Sequence, residues 1–358
     1  MGTIVEIVVR RLHLPLTTPY KVSTRTYHQF DPIVVEIHDR DGRTGWGETV
    51  ISQGYTNESA EGGWAFCTSM AEQLVGASTE AAKAALVPHL REHSHACSIL
   101  GTAIEMIEGN PLLDVTSSTE VPLLVPVNAM TLEAIGTEVE GYIAAGFRTL
   151  KVKVGFVVAE DLARVARIQR DLAGRATIRL DANQAYSRED GCRLAAALDP
   201  VGIELFEQPC HKDDWDSNAA VAAVSTVPVM LDESIYGIEE IDRAARLPGV
   251  GYVKVKLKKF GSLDRLKAAL DRIRAVGLQP VLGDGVSTDI SCWMEACVAR
   301  STITNAGEMN GFLKLVKPVL STPLSFAHGK IVLQPGWKPI VDMQFLEQAT
   351  EASAVFTA

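Results

Sequence analysis

The sequence predicts an α/β fold: a modified (β/α)8 TIM-type barrel carrying an α+β capping domain. Three observations carry this. From Val121 onward, short apolar runs alternate with amphipathic helical patterns, and alternation of that kind argues for a parallel sheet. Eight such runs occur, and the first is not followed by a glycine-rich phosphate loop, which favours a closed barrel over an open doubly wound sheet. At 358 residues the chain is two to three times a typical domain of roughly 100–150 residues, so a second, smaller domain is expected.

Residues 1–120 read as the α+β capping domain. Thr3–Leu14 is strand-like, and Ile33–His38 with Thr44–Thr49 flank Asp39-Arg40-Asp41-Gly42, a hairpin turn signal. Helical patterns follow near 59–76, 79–92 and 97–108, and Asn110-Pro111 ends the last. The barrel is expected over 121–324. Its strands are Val121–Asn128, Thr149–Val154, Thr177–Asp181, Ile203–Glu207, Val227–Asp232, Tyr252–Leu257, Pro280–Gly283 and Thr304–Met309. Intervening helices include Thr131–Ala145, Ala159–Leu172, Arg188–Leu198, Leu263–Val276 and Asp289–Ala299. The tail, 325–358, has mixed texture and is expected to return to the capping domain.

Composition excludes several classes. A 47% hydrophobic share can fill a large core, so disorder is not the general state. Net charge −10 makes the chain a poor nonspecific ligand for nucleic acid or anionic membrane. No stretch reaches the roughly 18 apolar residues of a membrane span. The N-terminal segment lacks an apolar run with a cleavage site, so the default is a soluble cytoplasmic protein. Six cysteines form no Cys-x-x-Cys pair and read as reduced, buried thiols. No Gly-x-Gly-x-x-Gly follows a first strand, which removes a nucleotide-binding oxidoreductase.

A parallel barrel carries its active site at the C-terminal ends of its strands. There the sequence places Lys153, Asp181, Glu207, Asp232 and Lys256, separated by 28, 26, 25 and 24 residues, about one βα unit each. Five charges in register on consecutive strands face one mouth: a lysine, three carboxylates, a lysine. With nothing positive read among them, three adjacent carboxylates repel, and a divalent cation relieves that. All-oxygen ligands favour Mg²⁺, then Mn²⁺. A substrate carboxylate on the metal would have its α-carbon between two amines. One lysine can remove the α-proton, while the other returns a proton or protonates a leaving group. Lys151 is expected to lower the pKa of its neighbour. Asn183 and Gln208 read as supports of the ligands, Glu233 as a hydrogen-bond partner of a lysine, and Lys258 and Lys259 as surface charges.

At these residues the sequence resembles the enolase superfamily, and within it the muconate lactonizing enzyme subgroup. The resemblance rests on Gly45-Trp46-Gly47-Glu48, Lys151-Val152-Lys153, Asp181-Ala182-Asn183, Glu207-Gln208-Pro209, Asp232-Glu233-Ser234 and Lys254-Val255-Lys256-Leu257-Lys258-Lys259-Phe260-Gly261. It implies Mg²⁺-assisted α-proton abstraction from a small-molecule carboxylate. It also implies Lys153 and Lys256 as the acid/base pair, with Lys151 helping to stabilise the enolate. Members are often dimers or octamers, so a homo-oligomer is expected.

Substrate choice in the subgroup is read by the ends of strands seven and eight and by two capping loops, here expected at Thr17–Gln29 and Ser52–Asn57. Where dipeptide epimerases carry Asp-x-Asp, this chain has Glu308-Met309-Asn310. The Ala103–Leu113 segment also lacks the usual Trp-Asp-x-x-x-Lys run. The stretches 283–290 and 307–312 look like those of cis-3-hydroxy-L-proline dehydratases. That likeness implies dehydration to Δ1-pyrroline-2-carboxylate, with 2-epimerization as the outcome when the second lysine reprotonates first. Asp284 or Glu308 would pair with the ring ammonium, and Tyr20 and Tyr55 would line the site. The alternative is a racemase or epimerase of another amino acid derivative: a proline betaine, an N-acyl amino acid or a dipeptide. An aromatic box at Tyr20, Tyr27 or Tyr55 would favour a quaternary ammonium. A metal-binding scaffold without catalysis is the remaining alternative, and the presence of both lysines argues against it.

Overall fold

Alternating apolar residues make the first strand, β1 (Ile4–Leu12). A two-stranded ribbon follows, β2 (Leu14–Lys21) and β3 (Thr26–Phe30), then β4 (Pro32–Asp39) and β5 (Thr44–Val50). The computed structural model describes residues 2–21, 26–52 and 56–358. The Thr17–Gln29 segment, expected as a loop, is therefore largely strand: Tyr20 pairs with Tyr27 across the ribbon, and 22–25 lie outside the described residues. The turn between β4 and β5 forms as expected, with Asp39 Oδ1 accepting the Asp41 and Arg43 N–H groups at 3.0 and 2.8 Å.

Three helices cover this sheet: α1 (Ala60–Leu74), α2 (Thr79–Leu86) and α3 (Ser94–Glu108). Ser59 and Ser78 cap the first two through their hydroxyls. The third has no cap from His93; Glu58 serves instead, accepting from His95 and Ala96 N–H at 2.9 and 3.1 Å. Gly45 and Gly47 let α3 lie on β5. A Cβ at either would stand about 2 Å from a backbone carbonyl of α3, at Ala103 O and Ile99 O respectively.

The expected strand Val121–Asn128 is two strands. β6 (Thr119–Pro122) leaves the barrel to pair with the tail, and β7 (Val125–Val127) opens the parallel sheet. Pro122, which cannot donate to a ladder, stands at the break as the last residue of β6, whereas Pro126 is accommodated within β7 opposite Lys151. The alternation then runs α4 (Leu132–Ala144), β8 (Thr149–Lys153), α5 (Val158–Leu172), β9 (Thr177–Asp181), α6 (Arg188–Ala197) and β10 (Ile203–Glu207). It continues through α7 (Trp215–Val224), β11 (Val229–Leu231), α8 (Ile238–Ala244), β12 (Val250–Val255), the single turn α9 (Leu257–Phe260), α10 (Leu263–Ala275), β13 (Gln279–Leu282) and α11 (Asp289–Thr302). β7 to β13 pair in parallel in sequence order.

The eighth expected strand, Thr304–Met309, is not regular strand. Its short middle closes the barrel nonetheless: Glu308 N–H donates to Leu282 O, Gly307 N–H to Pro122 O and Leu124 N–H to Gly307 O, each at 2.9 Å. Arg179 braces the closure by donating to Ala306 O at 2.8 Å. The tail adds β14 (Phe326–Ala327) and β15 (Lys330–Leu333), which join β6, then α12 (Met343–Ala349) and β16 (Thr350–Thr357), which pairs with β1.

One hydrophobic cluster fills the barrel and its helices, and a second fills the space between the N-terminal sheet and α1–α3. All six cysteines are free and five are buried. Among the described residues, no helix is long and apolar enough to cross a membrane.

Candidate active site

Period-two alternation decides which side chains enter the barrel. On β10 Leu205 and Glu207 share the inner face, as do Met230 and Asp232 along and just past β11. Leu205, Met230 and Val281 pack as a small apolar plug, and the charged residues stand one layer above it. Glu207 and Asp181 are register partners, as are Asp181 and Lys153. The five strand-end charges thus reach one mouth.

The turns that carry them are unusual. Asn183, Gln184 and Gln208 adopt positive φ of 43, 71 and 37°. Such backbone costs on the order of 1–3 kcal/mol per residue and persists only where neighbours hold it. Here Gln184 N–H donates to Gln208 O at 2.9 Å, and Gln208 N–H to Met230 O at 2.8 Å. The buried Gln208 side chain then accepts from Asp232 and Ser234 N–H at 2.9 and 3.2 Å, fixing the turn after β11.

Lys153 and Lys256 stand at opposite ends of the carboxylate arc. Lys153 Nζ donates to Asp181 Oδ2 at 2.6 Å and to Asn183 Oδ1 at 2.5 Å. Lys256 Nζ donates to Asp232 Oδ2 at 2.6 Å. Arg164, itself paired with Asp161 at 2.8 Å, donates to the Lys153 carbonyl and fixes the end of β8.

The arc is not free of positive charge, contrary to the expectation from sequence. Lys151 Nζ lies 2.8 Å from Asp181, 3.0 Å from Glu207 and 2.9 Å from Glu308. Lys254, which the sequence reading passed over, lies 3.1 Å from Glu207 and 3.8 Å from Asp232 and is hydrogen-bonded to Glu308. Lys254 and Lys256 are two apart on one strand face, as Lys151 and Lys153 are, and that spacing is the signal that finds it. Lys258 and Lys259 are likewise not surface charges. They are 5% and 3% exposed, because α9 lies beneath α3. Lys259 donates to Asp232 O and Oδ1 at 2.6 and 3.0 Å. Lys258 pairs with Asp284 and donates to Ser52 Oγ at 3.0 Å.

Both acids expected to meet a substrate ammonium therefore already hold lysines: Glu308 has Lys151 and Lys254, and Asp284 has Lys258. Glu233 is held by Asn183 Nδ2 at 3.1 Å, while its Oε2 is buried without a hydrogen-bond partner. Tyr20 is buried with one ring face under Lys314 Nζ, 4.6 Å from the centroid, and it stacks with Tyr27 at 6.5 Å. The cation on that ring is the chain's own. Tyr55 lies outside the described residues.

Charge follows this pairing. Burial works to discharge Lys256, but Asp232, Asp284 and Glu233 outweigh it and hold the amine above the usual lysine range. Lys151 and Lys254 are raised in the same way, the first by Asp181, Glu207 and Glu308, the second by Glu207 and Glu308. Burial would raise Asp181, yet Lys151 and Lys153 bring it down to about 2. Lys256 and Lys259 hold Asp232 well below the usual carboxylate range against the same burial. Burial and the neighbouring Asp232 push Glu233 up to about 7. Burial brings Lys259 down to about 8.

By donor chemistry Asp181, Glu207 and Asp232 suit a hard divalent cation: three buried carboxylates from adjacent strands, with no sulfur or imidazole. Among the described residues no three His, Cys, Asp or Glu side chains form a ready-made metal cluster, and the Lys151 and Lys254 ammoniums lie 3.0 and 3.1 Å from Glu207. Cationic charge is what the arc attracts.

The family described as "Enolase C-terminal domain-like" matches over residues 134–337. The chain is 28% identical to the L-Ala-D/L-Glu epimerase of Bacillus subtilis, over 83% of this chain and 85% of that one. It is 29% identical to the L-Lys-D/L-Arg epimerase of Methylococcus capsulatus, over 93% and 95%. In fold it is similar to the muconate lactonizing enzyme from Pseudomonas fluorescens complexed with muconolactone, with TM-score 0.89 and 24% identity over 98% and 100% of the chains. It is also similar to the N-succinyl Arg/Lys racemase from Bacillus cereus, with TM-score 0.90 and 23% identity over 99% and 100%.

Proposed function

The chain belongs to the enolase superfamily, in the enolase C-terminal domain-like family, and on that premise we propose that it is an enzyme that removes the α-proton of an amino-acid-type carboxylate. The observation that carries this is the placing of Lys153 and Lys256, each 2.6 Å from an outer carboxylate of the same arc, on either side of Glu207. Two amines facing one site from opposite ends can take a proton from one face of a carbon and return one to the other.

Asp181, Glu207 and Asp232 would hold Mg²⁺, or Mn²⁺ in its place. When bound, the ion supplies positive charge against the charge that builds on the substrate carboxylate as its proton leaves. Lys151 adds a fixed ammonium on the same side. Asn183 orients Lys153, and Gln208 orients Asp232.

For the substrate, the proposal is cis-3-hydroxy-L-proline, dehydrated to Δ1-pyrroline-2-carboxylate. The Cα–H proton passes to one lysine, the β C–O bond breaks as the other lysine's ammonium gives its proton to the departing oxygen so that water leaves, and the enamine gains a proton at C3 and loses its N–H proton to become the cyclic imine. Compactness supports a small ring. A Cβ at Gly285 would stand 3.1 Å from the Tyr20 hydroxyl and 3.5 Å from Glu308 Oε1, so strands seven and eight leave little room beneath Tyr20. One observation favours a second reading, racemization or epimerization of a larger amino acid derivative. A cavity of about 470 Å³ adjoins Lys153, lined by Pro19, Val127, Met130, Val154, Phe156 and Ala185 among others. The epimerases and racemases among the relatives agree with that reading.

Proton NMR in D₂O with Mg²⁺ separates these. Pyrroline-2-carboxylate formed only from cis-3-hydroxy-L-proline supports dehydration. α-Proton exchange without elimination, on a dipeptide or N-acyl amino acid, supports the second reading. No exchange on any of a broad panel defeats both.

A further inference from the structure

We propose that Lys254 is a resident counter-ion of the carboxylate arc, competing with a divalent cation for Glu207, and that Glu308 is the acid that draws it aside. The inference rests on reading Asp181, Glu207 and Asp232 as metal ligands, and it concerns a lysine that the proposed reaction leaves unused. Lys254 Nζ is 3.1 Å from Glu207 Oε1, inside the arc, and is hydrogen-bonded to Glu308 Oε2, outside it. Its side chain is 2% exposed, so its charge has no recourse to solvent. A buried carboxylate without a counter-charge is strongly disfavoured, and three on adjacent strands more so. Lys254 supplies that charge to Glu207 and, at 3.8 Å, to Asp232.

A divalent ion on Glu207 repels an ammonium on the same carboxylate. The ammonium can yield only if another acid keeps it neutralised, and Glu308 is placed for that. It bonds Lys254 through Oε2 and Lys151 through both oxygens, at 3.1 and 2.9 Å. It enters from the closing segment of the barrel rather than from a strand that carries a proposed ligand. One lysine shared between an arc acid and an outside acid thus holds the arc together without metal and can leave it when metal arrives.

The test is Mn²⁺ binding and thermal stability of the full chain. Lys254→Gln is expected to bind Mn²⁺ about tenfold more tightly than wild type, through loss of a repelling charge. Its metal-free Tm should fall, and Mn²⁺ should recover more of it than in wild type. A merely structural lysine would lower the metal-free and Mn²⁺-loaded values alike. Glu308→Gln should bind Mn²⁺ more weakly, and less so when Lys254→Gln is already present. Unchanged or weaker binding by Lys254→Gln, with wild type binding normally, overturns the counter-ion role and leaves the metal reading standing. If Lys254→Gln does not fold, tighter binding by Glu308→Gln overturns it instead. Wild type that binds no Mn²⁺ overturns the metal reading and this inference with it.

Discussion

Glu48, at the end of β5, accepts the Thr288 N–H at 2.8 Å and so caps the first turn of α11 from another layer of the molecule. The same oxygen accepts from Ser291 N–H at 3.2 Å, and Ser291 Oγ returns a bond to Glu48 O at 2.9 Å. Glu105 of α3 does the same for α10, accepting from Leu263 and Asp264 N–H at 2.6 and 3.2 Å. Two capping-layer carboxylates thus sit on two barrel-helix N-termini, whose N–H groups favour negative charge although burial outweighs them and raises both carboxyls. They fix the N-terminal layer over the strand-six and strand-seven ends of the site.

Glu48→Ala is therefore expected to destabilise the protein by about 1–3 kcal/mol, through unpaired buried N–H groups. Denaturant unfolding measures this. Gly47→Ala should cost as much or more, since its Cβ would meet Ile99 O at 1.9 Å. Wild-type stability in both variants would show that these contacts do not hold the layers together.

Lys153→Ala and Lys256→Ala should each lower turnover by roughly 10²–10⁴-fold, the usual worth of a positioned acid or base. If the reaction returns a proton to the opposite face, each variant should keep α-proton exchange with one enantiomer and lose it with the other. Deuterium incorporation read by NMR checks this. Full exchange with both enantiomers in either variant would remove that lysine from the chemistry.

How much of this was legible in the sequence follows from which rule governs each residue. The βα alternation was readable because strands buried on both faces are near-continuous apolar runs, and from Thr149–Val154 onward each carried a charge at its end or just past it. Val121–Asn128 misled because its apolar content reads as one strand, while Pro122 ends the first of two. Thr17–Gln29 was expected as a loop on the family resemblance, whereas tertiary context pairs β2 with β3 and sets β2 against residues 315–316. Lys254 sat unread beside Lys256, although period two places both on one face. Lys258 and Lys259 could not be placed from pattern, because their burial depends on where α3 lands. The Glu308 pairing depends on barrel closure, which joins residues 157 apart at Lys151.

Glu295 should make the protein less stable as pH rises. It accepts Leu257 and Asp284 N–H at 2.9 and 3.1 Å, and burial followed by Asp284 pushes its carboxyl from 4.5 to about 8. Between those values the folded chain keeps a proton that the unfolded chain releases. Its contribution is thus intact below about pH 4.5 and declines toward pH 8, by at most about 1.4 kcal/mol per pH unit. Glu105, raised by burial to about 7, acts in the same direction. Denaturation at pH 5, 6, 7 and 8 should show wild-type stability falling, with a shallower slope in Glu295→Gln. A slope unchanged by that substitution would show that Glu295 titrates elsewhere.

Gln208 makes the last prediction. It is fully buried, its backbone is held at φ 37°, and its side-chain carbonyl accepts from Asp232 and Ser234 N–H. Its Nε2 donates to Ser234 Oγ at 2.8 Å and to Cys210 O at 3.1 Å, so its side chain ties its own turn to the one that presents Asp232. Groups that orient ligands typically change metal affinity by 10–100-fold when lost. Gln208→Ala should weaken Mn²⁺ binding by about that factor while far-UV circular dichroism stays that of a folded barrel. Gln208→Glu keeps the acceptor but loses the amide donor beside Cys210 O, and adds charge near the arc. It should therefore recover part of the affinity and lose stability. Affinity unchanged in Gln208→Ala would mean that its lysine partners hold Asp232 without Gln208, and that the strained turn serves folding rather than the site.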